Sequence, residues 1–540
     1  MRWWCALGLV LLAGSVGAQE KPGGLCPGLL LSYSCGNGVC ESWLGESLAT
    51  CPQDCEEAAI ASYNRVKRCP EVQEVVVPEN AEQAQQAVEA ALSNGQRLRF
   101  VGSRHTISGA LCGDGVVIAS EALRTIHGIE EFEGHTTVRA DAGVKLVELT
   151  EWLHERGWSL GYALMGYNGV SLAGAIGTGS HGSSPKHSAV LSSKVASLDV
   201  IGADGQLQSY SAGTTDPDVW KSLTTHVGML GFVVNLRLRV EPQFKLKVKV
   251  TYHDESSLFD EGGALEEVKE CDYGQINWWP RTGKYFKTCG KVTTKRVHSG
   301  AQNVLLDPFT LEGSAPLARN LFQVAACDRQ IAKTIEATRY ADFVLNPPFE
   351  KDVWWWFDPI RSSKVKGYSH RMMSSYFDSE GDGIFNVDWE VAVPQQFSEQ
   401  ALIAVRDILH RYGVSLFEVG VFLRFAPSES TSWLANSATG GPFREGEIAM
   451  YIELPVPDPV AFDEGWMAWY EAPYREVVTT LIQDYGGRAH LGKNKDWVFE
   501  FETEEDVYGE NLLRFQSTVS ELDPTGVFSN DWSFSLGLSR

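Results

Sequence analysis

The sequence predicts an α+β protein built from more than one domain. Helical segments alternate with short apolar strands from Pro70 onwards, and residues 245–251 alternate lysines with apolar residues as a half-buried antiparallel strand does. The 540 residues exceed the roughly 250–300 that one hydrophobic core supports. An apolar content of 44% is typical of a globular protein, and the net charge of −23 argues against nucleic acid or an anionic membrane as a partner.

The N-terminus has the parts of a secretory signal peptide. Arg2 precedes about a dozen apolar residues, and Val16-Gly-Ala18 is a small-residue cleavage site. An uncleaved anchor or an organellar leader is the alternative. We therefore expect residues 1–18 to be removed and the mature chain to be secreted or to reach the secretory-pathway lumen. No later apolar run reaches the ~18 residues that a transmembrane helix needs, so no membrane span is predicted in the mature chain.

Residues 19–69 are predicted to form a cysteine-rich module. Its densest part, from Cys35 to Cys55, has the spacing C-x4-C-x10-C-x3-C, which lacks the paired C-x2-C of a zinc ribbon. Disulfide bonds in an oxidising compartment are the preferred interpretation, and a zinc knot is the alternative. Cys26 and Cys69 are candidates to bracket the module, although a sequence does not give connectivity. The module is a candidate docking unit for a surface partner.

Residues 70–244 are predicted to form the first α+β domain. An amphipathic helix is expected at residues 79–94, where alanines recur at helical spacing and Gly95 ends the pattern. Further helices are expected at residues 144–156 and after Asp216, which precedes a proline at the first turn. Strands are expected at residues 98–101, 116–118, 136–143, 195–201, 206–210 and 232–240.

Residues 245–480 are predicted to form a second α+β unit, and residues 481–540 a C-terminal segment. The aromatic run at residues 353–357 is interpreted as core or pocket wall. A helix is expected at residues 401–411, and strands are expected at residues 245–251, 416–425 and 449–454.

Two glycine-rich segments contain the first candidate functional residues. The first follows a predicted strand and places His105 in a tight turn, where a histidine serves as a base, a metal ligand or an attachment point. The second, residues 166–184, contains Gly177-Thr-Gly-Ser-His-Gly182, which satisfies G-x-G-x-x-G. A Rossmann site is disfavoured because Asp199 lies inside a strand pattern and residues 183–188 start a helix poorly. Backbone amides of this segment are suited to wrap a pyrophosphate, and a purely structural glycine loop is the alternative.

Together these segments resemble the aldonolactone oxidoreductases, which are L-gulonolactone oxidase-like enzymes of the vanillyl-alcohol-oxidase flavoprotein superfamily. The resemblance implies a PCMH-type FAD-binding domain at residues 70–244, a substrate-binding cap at residues 245–480, and a C-terminal segment at 481–540 that returns to the flavin. The motifs that carry it are Val101-Gly-Ser-Arg-His-Thr106, Cys112-Gly-Asp-Gly115, Leu172-Ala-Gly-Ala-Ile-Gly-Thr-Gly-Ser-His-Gly182, Gly228-Met-Leu-Gly231, His490-Leu-Gly-Lys493 and Leu522-Asp-Pro-Thr-Gly-Val-Phe528.

The resemblance further implies that FAD binds at the glycine clusters and that His105 is bonded covalently to the flavin 8α position. No metal is implied. Ser180 matches the family's position beside the flavin that controls access of dioxygen, and secretion favours dioxygen as the acceptor. The implied cofactor-binding residues are Val101, Gly102, Ser103, Arg104, His105, Thr106, Gly174, Gly177, Thr178, Gly179, Ser180, His181 and Gly182.

The implied reaction is hydride transfer from a carbinol carbon to flavin N5, followed by reoxidation with dioxygen to give hydrogen peroxide. The implied substrate is L-gulono-1,4-lactone or a related aldonolactone. Lys493 is the expected cation near flavin N1–C2=O, and His490 is expected to orient the substrate or accept a proton. Leu491 stands where the family has tryptophan.

The substrate strand departs from the family pattern Glu-x-Arg-Phe. Arg424 is present, but Phe422 stands in place of the glutamate. Glu418 and Glu390 are the candidate replacements. Because loss of a carboxylate that accepts sugar hydroxyls lowers selectivity, another carbohydrate or alcohol is the alternative substrate. A non-catalytic binding protein on the same fold is a further alternative.

Overall fold

The computed structural model describes residues 22, 60–64, 66–161, 166–305, 321–322, 324–353, 359–375, 386–413, 419–459, 464–501 and 507–539. The predicted signal peptide, the cysteines from Cys26 to Cys55, residues 354–357 and Glu418 lie outside the described residues. Among the described helices, none is both long enough and apolar enough to cross a membrane.

The described strands form three main sheets, three two-stranded sheets and one further three-stranded sheet. In chain order they are β1 (Ile60–Ala61), β2 (Arg68–Cys69), β3 (Glu74–Val76), β4 (Leu98–Val101), β5 (Val116–Ala119), β6 (Ile126–Phe132), β7 (His135–Asp141), β8 (Trp158–Ser159), β9 (Gly166–Tyr167), β10 (Val195–Ile201), β11 (Leu207–Ser211), β12 (Phe232–Arg239), β13 (Glu241–Pro242), β14 (Lys245–Asp254), β15 (Tyr273–Trp279), β16 (Lys284–Val292), β17 (Gln302–Asn303), β18 (Phe349–Lys351), β19 (Ile360–Arg361), β20 (Lys364–Tyr368), β21 (Ser374–Ser375), β22 (Asn386–Val393), β23 (Val421–Pro427), β24 (Ile448–Pro457) and β25 (Arg488–Ala489).

The described α-helices are distributed over both predicted units and the C-terminal segment. In chain order they are α1 (Ala81–Ser93), α2 (Leu146–Glu155), α3 (Leu172–Gly177), α4 (Pro217–Leu223), α5 (Gly263–Val268), α6 (Arg329–Leu345), α7 (Ser369–Met373), α8 (Ser398–Tyr412), α9 (Glu464–Gln483), α10 (Glu510–Leu522) and α11 (Asp531–Ser535).

The first part of the chain folds into a small parallel sheet and a five-stranded antiparallel sheet. The parallel sheet has the order β3-β5-β4, and the antiparallel sheet has the order β11-β10-β12-β7-β6. Helix α1 matches the predicted helix, and Asn80 caps it by accepting a hydrogen bond from the Gln83 amide at 3.0 Å. The apolar face of α1, including Val88, packs with Leu98 of the parallel sheet and Phe232 of the antiparallel sheet. One hydrophobic cluster therefore joins the two sheets.

The second part is organised by an eight-stranded antiparallel sheet with the order β20-β14-β16-β15-β23-β24-β22-β25. Side chains alternate along β22, so Trp389 points to one face, where it stacks on Tyr474 of α9 with ring centroids 5.0 Å apart. Asn386, Asp388 and Glu390 occupy the other face. The sheet therefore presents a row of polar side chains opposite the face that helix α9 covers.

Two sequence expectations, one about this sheet and one about the N-terminal cysteines, need correction. Of the strand predicted at residues 416–425, residues 416–418 lie outside the described residues, and Val419 and Gly420 precede β23, because Gly420 has a φ of 78°, which an extended strand cannot accommodate. Cys69 is bonded to Cys112, so the expectation that Cys69 and Cys26 bracket the cysteine-rich module is wrong. A second disulfide joins Cys271 to Cys289.

The C-terminal segment returns to the first sheet. The Leu98 amide donates to the Val527 carbonyl at 2.9 Å, and the Arg99 guanidinium donates to the Phe528 carbonyl at 3.3 Å. Asn530 donates through its amide group to the carbonyl oxygens of Gly109 and Cys112. These contacts anchor the C-terminal segment to residues that precede and follow the loop that carries His105.

Candidate active site

A cavity of about 300 Å³ lies where the parallel sheet, β12 and the eight-stranded sheet meet. Its walls combine the two glycine clusters with polar residues of β22, β23 and β24. Of the thirteen predicted cofactor residues, Gly179 and Gly182 do not line the cavity. The eleven that do are Val101, Gly102, Ser103, Arg104, His105, Thr106, Gly174, Gly177, Thr178, Ser180 and His181.

Small residues leave the space that the cavity occupies. A Cβ on Gly102 would lie 2.0 Å from Ser171 Oγ, and a Cβ on Gly177 would lie 3.2 Å from His226 Nε2. Any larger residue would therefore move the wall into the cavity or displace its neighbour. This is the backbone-lined cradle that a dinucleotide cofactor needs.

His226 supplies an independent sign of a bound ligand. The Gly228 amide donates to His226 Nδ1 at 3.0 Å, so the ring proton resides on Nε2. Burial, followed by the charge of Arg99, lowers the pKa of His226 to about 4, which keeps the ring neutral. Nε2 is buried beside the cavity and has no hydrogen-bond partner among the described residues. A buried donor without an acceptor is costly, and FAD carries many acceptor atoms, so the residues present fit this cofactor.

His105 is held in the cavity wall as a neutral ring. It stacks on Tyr63 with centroids 4.1 Å apart and contacts Tyr167 with centroids 4.7 Å apart. Burial lowers the pKa of His105 to about 3, and the charges of Lys145 and Arg104 contribute to the shift. Arg104 adopts a positive φ of 57°, which is strained for a residue with a Cβ and marks this loop as functionally constrained. A neutral imidazole is the form that can act as a nucleophile.

Glu390 lies behind the cavity wall and organises a buried ion-pair cluster. Its Oε1 accepts from His181 Nε2 at 2.6 Å and from Asn436 Nδ2 at 3.3 Å. Its Oε2 accepts from Lys493 Nζ at 2.9 Å. Burial alone would raise the pKa of Glu390, but His181 and Lys493 hold it well below its usual range. Glu390 is therefore positioned to hold Lys493 and His181, and it does not itself line the cavity.

Glu453, which sequence reasoning missed, lies on the strand beside Phe422, the residue that stands where the family has glutamate. It is the direct strand partner of Phe422 across β23–β24 and of Glu390 across β24–β22. It accepts from Lys493 Nζ at 2.5 Å and forms an ion pair with Arg424 Nη1 at 3.0 Å. Burial would lower the pKa of Lys493, but Glu390 and Glu453 outweigh it and raise that pKa, so Lys493 stays charged.

Asp388 is the second acidic residue that sequence reasoning missed. It lines the cavity two residues before Glu390 on the same face of β22. Burial, together with the nearby charge of Glu453, raises the pKa of Asp388 to about 7. The signal was present in the alternation of polar residues Asn386, Asp388 and Glu390 with apolar residues in the sequence.

His490 lines the cavity with its ring orientation fixed. The Gly492 amide donates to His490 Nδ1 at 3.0 Å, which leaves Nε2 as a donor. Burial lowers the pKa of His490 to about 3. A ring with so low a pKa is a weak base, so the geometry favours the predicted orienting role over the proton-accepting role.

His181, Glu390 and His490 also place one donor atom each within 4.8 Å of one another. Such spacing is compatible with a metal ion. Both Glu390 oxygens already accept hydrogen bonds from protein groups, and the His181 ring stacks on Tyr451 with centroids 3.6 Å apart. We therefore interpret these residues as a support for Lys493.

The comparison with protein families identifies two regions. A family described as an FAD binding domain matches residues 72–211, and the family described as D-arabinono-1,4-lactone oxidase matches residues 236–536, more than half of the chain. The chain belongs to the D-arabinono-1,4-lactone oxidase family. The predicted family, the FAD-binding fold and the FAD cofactor are thus confirmed.

Relatives within this family include proteins from fungi, plants and animals. The D-arabinono-1,4-lactone oxidase of Saccharomyces cerevisiae is 29% identical over 228 residues, which is 42% of each chain. The aligned region therefore spans less than half of that relative. The L-gulonolactone oxidase of Mus musculus is 22% identical over 465 residues, 84% of this chain and 93% of the relative. The L-gulonolactone oxidase 3 of Arabidopsis thaliana is 22% identical over 489 residues, 85% and 80% of the two chains.

Solved structures show the same fold at lower sequence identity. A structure of a solvent-stable cholesterol oxidase superimposes with a TM-score of 0.70 and 15% identity, covering 89% of this chain and 97% of that chain. A second, the cholesterol oxidase from Brevibacterium sterolicum, superimposes with a TM-score of 0.67. At this low sequence identity, the similarities show that the chain shares the fold of these structures over 89% of its length.

Proposed function

We propose that this protein is an FAD-dependent oxidase of a sugar-derived lactone, such as L-gulono-1,4-lactone or a related aldonolactone. The observation that carries the proposal is the group of Asp388, Arg424, Glu453 and Lys493 beside His105 in one cavity. These side chains supply both donors and acceptors, as recognition of a polyhydroxylated ring requires. Family membership supports the same class of substrate.

When bound, FAD supplies the two-electron acceptor for the hydride of a carbinol C–H bond, and dioxygen takes up the electrons as hydrogen peroxide. The chain's own residues bind and orient the substrate. Arg424 and Glu453 form a fixed pair to which hydroxyl groups can donate and from which they can accept. Asp388, with a pKa of about 7, is the candidate to accept the proton of the reacting hydroxyl near neutral pH.

Lys493 supplies a positive charge in the same wall. Its ammonium group is held by Glu390 and Glu453, so the charge is fixed before any ligand enters. Fixed charges of this kind stabilise developing negative charge without reorganisation. His490 adds a neutral donor beside it.

We further propose that His105 forms a covalent bond to the flavin. The low pKa of His105, about 3, supports this assignment, because the ring is neutral at neutral pH and one of its two nitrogens carries no proton. After acid precipitation of the yellow protein, flavin fluorescence should remain with the polypeptide. His105→Ala should release it, whereas His127→Ala, which changes an exposed histidine of β6, should not. Fluorescence that stays attached to His105→Ala would assign the bond to another residue.

We also propose that the chain is secreted. The signal-like N-terminus supports it, as do the Cys69–Cys112 and Cys271–Cys289 disulfides, which are typical of an oxidising compartment. Expression of the full chain in a eukaryotic host should place protein that begins at Gln19 in the medium. Retention of an uncleaved chain in the cell would contradict the proposal.

The substrate is tested with a panel of lactones, sugars and simple alcohols and with detection of peroxide. Turnover of an aldonolactone supports the proposal. Phe422, whose ring lies 4.8 Å from the Arg424 guanidinium carbon, favours a second candidate, oxidation of a different carbohydrate or alcohol. Turnover of that class alone would select the second candidate. Protein that stays colourless after flavin supplementation would contradict both oxidase candidates and leave a non-catalytic binding protein as the alternative.

A further inference from the structure

One wall of the cavity comes from a segment that neither family match includes. Strands β1 and β2 and the turn between them precede residue 72, where the match to the FAD binding domain begins. Tyr63 of this turn nevertheless lines the cavity together with His105 and Asp388. The ring of Tyr63 lies on the ring of His105 at an interplanar angle of 24°.

The segment is fastened to three separate parts of the molecule. The Tyr63 amide donates to the Arg104 carbonyl at 2.8 Å, next to His105. Asn64, only 1% exposed, donates through its amide group to the Asn386 carbonyl at the start of β22, at 2.7 Å. Lys67 forms an ion pair with Asp496 of the C-terminal segment at 2.6 Å.

The disulfide between Cys69 and Cys112 adds a covalent anchor. Ile60 and Cys69 pack with Val101, Leu111 and Val117 in one small hydrophobic cluster. A segment held at both ends and at its turn has little freedom to leave the cavity. Tyr63 is therefore a fixed part of the wall in this fold.

The hydroxyl of Tyr63 has a defined chemical character. Burial raises its pKa well above the usual value, and the nearby Asp388, Tyr167 and Glu453 add to the shift. The phenol therefore remains neutral and can both donate and accept a hydrogen bond. Within the described part of the chain, no residue forms a hydrogen bond with Tyr63 Oη.

We propose that Tyr63 is a specificity-determining residue of the substrate pocket, covering His105 with its ring and contacting a substrate hydroxyl with its own hydroxyl. The inference rests on the proposed oxidation of a polyhydroxylated substrate. It assigns part of the pocket to the segment before the FAD-binding domain. The substrate would therefore be enclosed by the N-terminal turn, β22–β24 and the C-terminal segment together.

The test compares Tyr63→Phe, Tyr63→Ala and a matched control, Tyr210→Phe, whose hydroxyl bonds Gln208 on β11 away from the cavity. Steady-state kinetics are measured with an aldonolactone and with analogues that each lack one hydroxyl. Tyr63→Phe should raise KM for the full lactone about 3- to 10-fold, the range for one hydrogen bond, with a small change in kcat. For the analogue that lacks the contacted hydroxyl, KM should be the same in both proteins.

A second measurement, quenching of bound-flavin fluorescence by acrylamide, requires no substrate. Tyr63→Ala should increase the quenching constant because the ring that covers His105 is removed, and Tyr63→Phe and Tyr210→Phe should leave it unchanged. Equal KM values for wild type and Tyr63→Phe with every analogue would overturn the specificity role. An unchanged quenching constant in Tyr63→Ala would overturn the covering role. Wild-type protein that oxidises no lactone would refute the proposed function. The quenching constant of Tyr63→Ala would then still test whether the Tyr63 ring covers His105.

Discussion

Glu453 gives the sharpest prediction about the substrate pocket. Its two carboxylate oxygens are divided between Lys493 and Arg424, and its backbone is paired with Phe422 on one side and Glu390 on the other. Glu453→Gln keeps the shape of the side chain but removes the charge. An amide offers one acceptor oxygen in place of two, so either Arg424 or Lys493 loses its contact with residue 453.

The expected loss follows from the contacts that are removed. A hydrogen bond to a charged group contributes about 1.5–3 kcal/mol, and each 1.4 kcal/mol is about a factor of ten in affinity. Glu453→Gln should therefore lower kcat/KM for an aldonolactone by about 10- to 100-fold. Most of this decrease should appear as a higher KM, because the proposed role of the Glu453 carboxylate is to bind substrate hydroxyls. The assay is peroxide release, with flavin absorbance and the melting temperature measured on the same samples.

Glu429→Gln is the matched control, because Glu429 is a half-buried carboxylate that accepts from Ser188 away from the cavity. A rescue variant makes the test sharper. Phe422 and Glu453 are direct strand partners, so Phe422→Glu should restore a carboxylate beside Arg424 in the Glu453→Gln background. A loss below about threefold in a folded, flavin-loaded Glu453→Gln protein, less than one hydrogen bond to a charged group contributes, would refute the reasoning.

Three further variants test the cofactor cradle and the proposed base. His226→Phe in the His105→Ala background should weaken FAD binding by about 3- to 10-fold in a fluorescence titration, since one donor is lost; an unchanged Kd would exclude this contact. Gly102→Ala should lower the flavin content, because its Cβ would lie 2.0 Å from Ser171 Oγ, and adding Ser171→Gly should restore it. The pKa of Asp388, raised to about 7, predicts that kcat/KM rises with pH through neutrality and that Asp388→Asn lacks this rise. A raised pKa in the folded state also means that the free energy of unfolding falls as pH rises from the usual aspartate pKa through 7, a fall that Asp388→Asn should reduce.

Local sequence patterns predicted the glycine clusters of the cofactor cavity and a helix that packs against the neighbouring sheets. The helix at residues 79–94 has a cap, an apolar face and a terminal glycine, and it appears as α1 with nearly the same bounds. The glycine clusters were recognisable because close approach of backbone to ligand requires small residues at fixed positions. These features depend on neighbours in the sequence, so reading them does not require the tertiary fold.

The residues of the substrate pocket could not be predicted in the same way, because strand register brings them together and local sequence patterns do not give that register. Glu453 lies in another strand from Phe422, and only the pairing of β23 with β24 brings the two together. Tyr63 was missed because it lies in the predicted cysteine-rich module, and the Cys69–Cys112 bond that ties this region to the His105 loop could not be read from spacing. Glu390 was predicted as a candidate, but its place behind the wall follows from its contacts with His181 and Lys493.

The position of Glu453 changes how the departure at Phe422 is understood. In an antiparallel pair, directly opposite residues project from the same face, so a carboxylate can move to the partner strand and still meet Arg424. The charges in the cluster are then nearly balanced: Arg424 and Lys493 oppose Glu390 and Glu453, and Asp388 adds at most one negative charge. This cluster therefore has no excess positive charge with which to attract a carboxylate ligand. The charge balance therefore supports the proposed uncharged, polyhydroxylated ring, such as a lactone, over the open-chain acid that forms when the lactone hydrolyses.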